Sequence, residues 1–428
     1  MKKNKKLLYD VHEKPPIGKW LILSLQHVFA MFGATILVPR LVNAACGATI
    51  ITPAMALITS GIGTIIYLIC TKGKSPMYFG SSFAFITPMC IAYSLGGRGA
   101  VLTGMMATGL LYIILGIIVK FVGNKWIDKL FPPVVVGPMI MIIGLSLSTS
   151  AIDNIGLSAG AAFDWRSLLC AFVAFLVTAL VALIGKKFIK IIPFLIGIGS
   201  GYILAIHLGL VDFSAVFSSP IIADPGFFIP FKDYALSFEA LWTMLPVGLV
   251  TLAEHVGDHK VVGQVIEKDL IKDPGLHRTL IGDGAAELAA ALIGGPASTT
   301  YGENTSVVGM TKVASVWVIG LAAVMAILMG FSGQVIAIID SIPTCVLGGV
   351  SILLYGFIAV NGLKVLIENQ VDFSNNRNLI IASAMLVFGL GGATISITSG
   401  SFNASISGMS LAAIIGVLLN LLLPKERK

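Results

Sequence analysis

Long apolar runs follow one another along this chain with only short polar breaks, and the runs are continuously apolar rather than alternating. A run of about 18 residues or more spans a hydrocarbon core of about 30 Å as a helix, so the pattern predicts membrane-crossing helices and not a barrel. Fourteen crossings are expected, at 17–40, 50–71, 76–95, 99–120, 130–150, 166–185, 189–209, 238–261, 276–295, 297–311, 313–331, 334–359, 377–393 and 405–423. Two of these are short or interrupted. The fold class is an all-α polytopic membrane protein.

Composition agrees: 56% of the 428 residues are hydrophobic and 11% charged, against roughly 25% charged in an average soluble domain. The mean hydropathy is +0.95. A formal charge of +7 could indicate nucleic acid, but its distribution argues for lipid as the surroundings. With a cytoplasmic amino terminus, only Arg40, Arg98, Arg166 and Lys232 of the 28 basic residues fall outside, which is the positive-inside bias and places both termini in the cytoplasm. The start "MKKNKKLLYD" resembles a signal n-region, but the apolar segment that begins near Ile17 is too long for an h-region and is expected to be a retained first helix. Cys46, Cys70, Cys90, Cys170 and Cys345 lack metal-ligand spacing and are expected to be small packing residues. No nucleophile-base pair or metal cluster is visible, so neither an enzyme nor a metal or organic cofactor is expected.

Weak self-similarity divides the chain into halves. Residues 24–29 ("SLQHVF") echo 252–257 ("LAEHVG"), residues 78–88 ("YFGSSFAFITP") echo 296–306 ("PASTTYGENTS"), and residues 131–147 echo 342–358. Crossings one, three and five thus match eight, ten and twelve, and a shift by an odd number makes the repeat inverted. The third and tenth segments open with Pro, Gly, Ser, Thr and aromatic residues, which disfavour helix and suit short strands. Non-helical backbone at membrane depth persists only where protein buries it or it lines a cavity, so the pair points to a substrate site at the midplane.

Ionisable groups inside crossings are the candidate chemistry. Glu254 and Asp258 lie one turn apart on one helix face and can share a proton, with His255 and His259 on the adjacent stripe. His259 and Asp258 also admit a plain reading as a solvated helix end. Asp283 and Glu287 repeat the one-turn spacing; Asp283 is expected to be solvated near the start of its span, with Glu287 a second proton site. His27 is expected to hold neighbouring polar groups. Glu303 can accept N–H donors, Asn304 can brace the partner segment through Ser81 or Ser82, Gly302 leaves the main chain open to a ligand, and Phe83 and Tyr301 offer flat rings. The ligand that fits is small, flat and rich in N–H donors and carbonyl acceptors, as a nucleobase is.

The segments "SLQHVFAMFGATILVP", "GSSFAFITP", "AEHVGDH", "KDLIKDPGLHR", "TTYGEN" and "GGVSILLYGFI" resemble those of the nucleobase/ascorbate transporter family, in particular its bacterial uracil carriers, over nearly the whole chain. The resemblance implies fourteen spans in two inverted repeats of seven, with short strands in segments 3 and 10. It also implies a core domain at 1–129 and 237–332, a gate domain at 130–236 and 333–428, homodimers, an elevator-like motion, and symport of uracil with a proton across the cytoplasmic membrane. Carried over, Glu254 and Glu303 would hold the base, the main chain at Phe83 and Gly302 would meet its carbonyls, and Tyr355 would line the gate side. Two positions depart from the pattern. Asp258, followed by His259, stands where some uracil carriers have histidine and purine carriers have aspartate, and Ser306 stands where glycine is usual. Asp258 leaves a xanthine or urate carrier as an alternative, whereas Glu303, where purine carriers have Gln, favours uracil. An anion exchanger or channel of the same architecture is the alternative of another class.

Overall fold

The structure, a computed structural model, describes residues 7–186, 189–190, 192–399 and 402–424. Lys2, Lys3, Lys5, Lys6, Lys187, Lys425, Arg427 and Lys428, which enter the orientation reading, lie outside the described residues. In chain order the elements are α1 (Ile17–Cys46), α2 (Pro53–Cys70), β1 (Phe79–Ser81), a tight turn at Phe83–Phe85, α3 (Ile86–Val122), α4 (Lys125–Leu130), α5 (Pro133–Ser146), α6 (Ser148–Asn154), α7 (Trp165–Ile184), α8 (Pro193–His207) and α9 (Ser214–Ser218). The second half holds α10 (Leu241–Ile266), α11 (Leu276–Ile293), β2 (Ser298–Thr300), α12 (Gly302–Thr311), α13 (Val316–Gly330), α14 (Gly333–Asp340), α15 (Thr344–Glu368), α16 (Asn376–Leu390), β3 (Thr394–Ser399), β4 (Phe402–Ser407) and α17 (Gly408–Leu422).

The molecule is mostly helical, and among the described residues six helical stretches are long and apolar enough to cross a membrane, with four shorter apolar helices beside them. At 26 residues α10 matches the long helices in length, but it carries Glu254, Asp258 and Lys260. Helix starts follow local chemistry. Thr52 caps α2 by accepting from Met55 N at 3.1 Å with Pro53 in the first turn, and Asp164 caps α7 by accepting from Arg166 N and Ser167 N.

Several expected boundaries are corrected. Spans 76–95 and 99–120 share one helical run, α3, broken only at Gly96 and at Gly97, whose φ of +66° is a glycine conformation. Span 334–359 is two helices, because Pro343 cannot continue α14 and instead precedes α15, which extends to Glu368. The last span begins at Gly408 rather than 405, because Thr394–Ser399 and Phe402–Ser407 pair as the antiparallel strands β3 and β4.

Two groups of helices pack mainly within themselves: α1, α2, α3 and α10 to α13 in one, and α5 to α8 with α15 to α17 in the other. Small residues allow the closest crossings. A Cβ on Gly109 of α3 would lie 2.8 Å from Gly284 O of α11, and one on Gly284 would lie 2.4 Å from Gly109 O. Gly137 of α5 and Gly362 of α15 oppose each other in the same way, at 3.0 and 2.5 Å. The amino-terminal segment straps onto the first group: Leu8 N donates to Lys312 O, Ala314 N to Tyr9 O and Val316 N to Val11 O. Lys268 Nζ lies 2.8 Å from Asp10 Oδ1 and holds that carboxyl below the usual carboxylate range. At the other end of α1, Arg40 donates to Asp340 and to Ile342 O, joining α1 to the α14–α15 corner.

Candidate functional site

The two polar segments singled out in the sequence meet. β1 and β2 pair antiparallel, with Phe79 opposite Thr300, Gly80 opposite Thr299 and Ser81 opposite Ser298. The pairing extends through Ser82 N to Ala297 O and Tyr301 N to Tyr78 O, at 2.8 and 2.9 Å. All six strand residues are buried, so their remaining backbone groups need partners. Neighbouring helices supply them. Ser60 of α2 donates to Phe79 O at 2.7 Å, Thr64 accepts from Phe79 N at 3.0 Å, and Glu287 of α11 accepts from Ser298 N at 2.5 Å and from Ser298 Oγ at 3.1 Å. Gly80 is required where the ring of Tyr301 crosses the strand, since a Cβ there would lie 2.2 Å from Tyr301 Cζ. The Tyr301 hydroxyl donates to Ser81 O and accepts from Thr35 Oγ1, which closes that corner.

Each strand turns directly into a helix, β1 through Phe83–Phe85 into α3 and β2 through Tyr301 into α12. The first-turn amides of such helices have no intrahelical acceptor, and they carry the positive end of the helix dipole. Beside the two helix starts lies a cavity of about 330 Å³, within the range of small-ligand sites. One wall consists of Ser81, Ser82, Phe83, Gly302, Glu303 and Ser306 with Glu254 and Asp258 of α10. The facing wall is Ile143 of α5, Phe194 of α8 and Leu354, Phe357, Ile358 and Asn361 of α15. The cavity therefore lies between the two helix groups. A Cβ added to Gly302 meets nothing within 4 Å, so the main chain there is open to a ligand.

Glu254, Asp258 and Glu303 all line this space, and no Lys, Arg or His does among the described residues. Asp258 Oδ2 accepts from Thr300 Oγ1 at 2.5 Å, which ties α10 to β2. Adjacent in sequence, His259 points the other way and is 0% exposed. Its Nδ1 lies 2.6 Å from the His255 carbonyl and its Nε2 2.5 Å from Tyr67 Oη, which is itself 2.8 Å from Ser75 Oγ. A carbonyl accepts only from N–H, so Nδ1 carries the proton and Nε2 receives the tyrosine hydroxyl. The plain reading of a solvated helix end is thereby corrected, because α2 covers this face of α10.

Asp283 is likewise not solvated: it is 3% exposed, and its Oδ2 lies 2.6 Å from His255 Nδ1, while His255 Nε2 lies 3.0 Å from Thr279 Oγ1. Packing of α11 against α3 and α2 removes the solvent expected at that end. Asn304 does not brace Ser81 or Ser82. Its amide donates to His27 Nδ1 and to His27 O, both at 3.1 Å, fixing α12 to α1. Ser81 Oγ donates instead to Thr35 O. Tyr355 stands behind the wall: its ring meets that of Phe83 edge-on at 6.4 Å, and its neighbours Leu354, Phe357 and Ile358 face the cavity. Asn361 and Phe194 were missed. Asn361 was visible as a lone amide within an apolar run, whereas nothing distinguishes Phe194 from other apolar residues.

A second cavity, of about 590 Å³, lies against the first. Phe83, Ala84 and Ile143 line both and so form the partition, and Thr87, Ser146, Thr149, Thr243 and Ser410 are among the other lining residues.

A ligand-sized space between two helix groups, walled by paired broken helices and half-buried acids, defines the class: a multi-pass membrane transporter. The sequence model of the "Permease family" (Xan_ur_permease) matches residues 18–398, and the chain belongs to this family, the nucleobase transporter family that its motifs resemble. The uracil permease of Bacillus subtilis (strain 168) is 46% identical over 99% of this chain and 97% of its own length. That of Bacillus caldolyticus is 47% identical over 98% and 95%. Among solved structures, the murine solute carrier 26 family member A9 anion transporter, in the inward-facing state, superposes with a TM-score of 0.69 at 13% identity. It covers 96% of this chain and 68% of that one, a likeness of fold.

Proposed function

We propose that the chain imports uracil with a proton across the cytoplasmic membrane. The observation that carries this reading is three carboxylates lining one cavity that has no cationic side chain among its described lining residues. Such a set needs a mobile positive charge, and a proton supplies it without filling the space. Uracil offers two ring N–H donors and two carbonyl acceptors. Glu254 and Glu303 accept the N–H groups, the main chain at Phe83 and Gly302 meets the carbonyls, and Asp258 with Glu254 carries the proton. His259 enters this cycle by positioning α10 against Tyr67.

The printed names of the Bacillus relatives support uracil as the substrate. The likeness to the inward-facing anion transporter supports a carrier whose helix groups move against each other. On this reading the fourteen spans form two inverted repeats of seven, residues 1–129 and 237–332 are the moving core, and residues 130–236 and 333–428 are the gate. Two copies pair as a homodimer, and both termini are cytoplasmic.

The test is uptake into vesicles. Glu254→Gln and Glu303→Ala each abolish proton-driven uracil uptake while the protein still reaches the membrane; normal uptake by either variant would overturn the assignment. Asp258 keeps a purine carrier as the second reading, and competition of labelled uracil by excess xanthine decides between them. An anion carrier is disfavoured, since the acids would repel its substrate.

A further inference from the structure

We infer that Cys46 and Cys90 are a dithiol pair that closes to a disulfide, fastening the end of α1 to the half-helix that presents Phe83. The two residues are 44 positions apart in sequence, yet their sulfurs lie 2.7 Å from each other. Cys46 is the last residue of α1, before Gly47 ends the helix in a left-handed conformation at φ +63°. Cys90 lies in the second turn of α3 and also approaches Val42 O at 3.8 Å. Both thiols are half-buried and so reachable, whereas Cys170 and Cys345 are buried. A thiol is a weak donor and a weak acceptor, so this contact stabilises the reduced pair little. What the approach provides is reactivity, because a second thiol is already in place to resolve a mixed disulfide.

The reaction balances by exchange with a small-molecule disulfide such as oxidised glutathione. The Cys46 thiolate, beside the exposed Ala45 and Gly47, attacks one sulfur of that disulfide and releases one thiolate. The Cys90 thiolate then attacks Cys46 Sγ and releases the second. The protons of the two cysteines pass to the two leaving thiols, the pair is oxidised, and the reagent is reduced. The compartment rests on the orientation proposed above, which puts both residues toward the outer face, where disulfides persist.

Cys90 lies seven positions after Phe83, roughly 10 Å along the helix, so the bond steadies the segment that sets one wall of the cavity. α1 and α3 belong to the same helix group, and the bond therefore leaves the two groups free to move.

The test uses the full chain with its five cysteines: after oxidised glutathione and denaturation, a mass-adding maleimide labels three thiols in wild type and five after reduction. Cys46→Ser and Cys90→Ser each give four under both conditions, and the melting temperature rises on oxidation in wild type alone. A cross-linked peptide joining Cys46 and Cys90 in a digest of oxidised wild type makes the same measurement without a variant. Five labelled thiols after oxidation, or two lost in a serine variant, would overturn the pair. An impermeant phosphine reductant opens the bond in intact cells. Opening only after permeabilisation would overturn its outer placement while leaving the uptake test untouched.

Discussion

Asp258 and His259 are neighbours in sequence with opposite surroundings, one facing the cavity under Thr300 and the other sealed against Tyr67. Helix geometry sets consecutive side chains about 100° apart, and only the packed neighbours decide which of them meets the site. The two residues are separable by experiment. Asp258→Asn is expected to remove the stimulation of uptake by an inward proton gradient. Tyr67→Phe strands the buried His259 Nε2 and costs roughly 1–3 kcal/mol of stability, seen as a lower melting temperature with uptake per folded molecule retained. For Glu303, losing a hydrogen bond between a charged acceptor and the ligand is worth about 1.5–3 kcal/mol. Glu303→Gln is thus expected to weaken uracil binding about tenfold to a hundredfold in calorimetry. The acids of the site were legible because a carboxylate in an apolar run is conspicuous. The link from Asn304 to His27 was not, since it joins residues 277 positions apart and either side chain has other partners in principle.

At the scale of elements, the broken segments were legible and their supports only partly so. Clusters of Gly, Ser and Thr inside apolar sequence mark where helix fails. That Ser60, Thr64 and Glu287 saturate the edges of the strand pair follows from the way α2 and α11 flank it. Of the β3–β4 hairpin, only Phe402–Ser407 overlaps an expected span, the last one, and strand β4 there pairs with Thr394–Ser399 before α17 begins. Helix crossings give a sharper test. Gly284→Ala drives a methyl to 2.4 Å from the carbonyl of Gly109, and overpacking of this kind costs typically 1–3 kcal/mol. A lower melting temperature is expected, while Gly257→Ala, with open space at its Cβ, leaves it unchanged. Gly80→Ala meets the ring of Tyr301 rather than a helix, so it is expected to abolish binding.

For the whole molecule, the multi-pass helical character was legible in the long apolar runs, whereas the sorting of helices into two groups depends on contacts between distant segments. Arg40 joins α1 to the corner between α14 and α15 through Asp340 and Ile342 O. Arg40→Gln is expected to loosen that end of the molecule, read as faster labelling of a cysteine placed at Thr149 in the larger cavity. The strap at Asp10 has a pH signature. Its carboxyl is held low by Lys268, so the stabilisation is present above the ordinary carboxylate pKa and fades as pH falls through the depressed value. With both side chains more than two-fifths exposed, it amounts to at most about 1 kcal/mol, and Asp10→Asn should expose residues 7–11 to protease without altering uptake.

The partition between the two cavities is only as thick as Phe83, Ala84 and Ile143. A wall one side chain deep works as an electrical insulator: it keeps a continuous column of water from forming beside the acids. Phe83→Ala would open that column, and vesicles carrying it are expected to leak protons in the absence of any nucleobase, turning a carrier into a weak uncoupler.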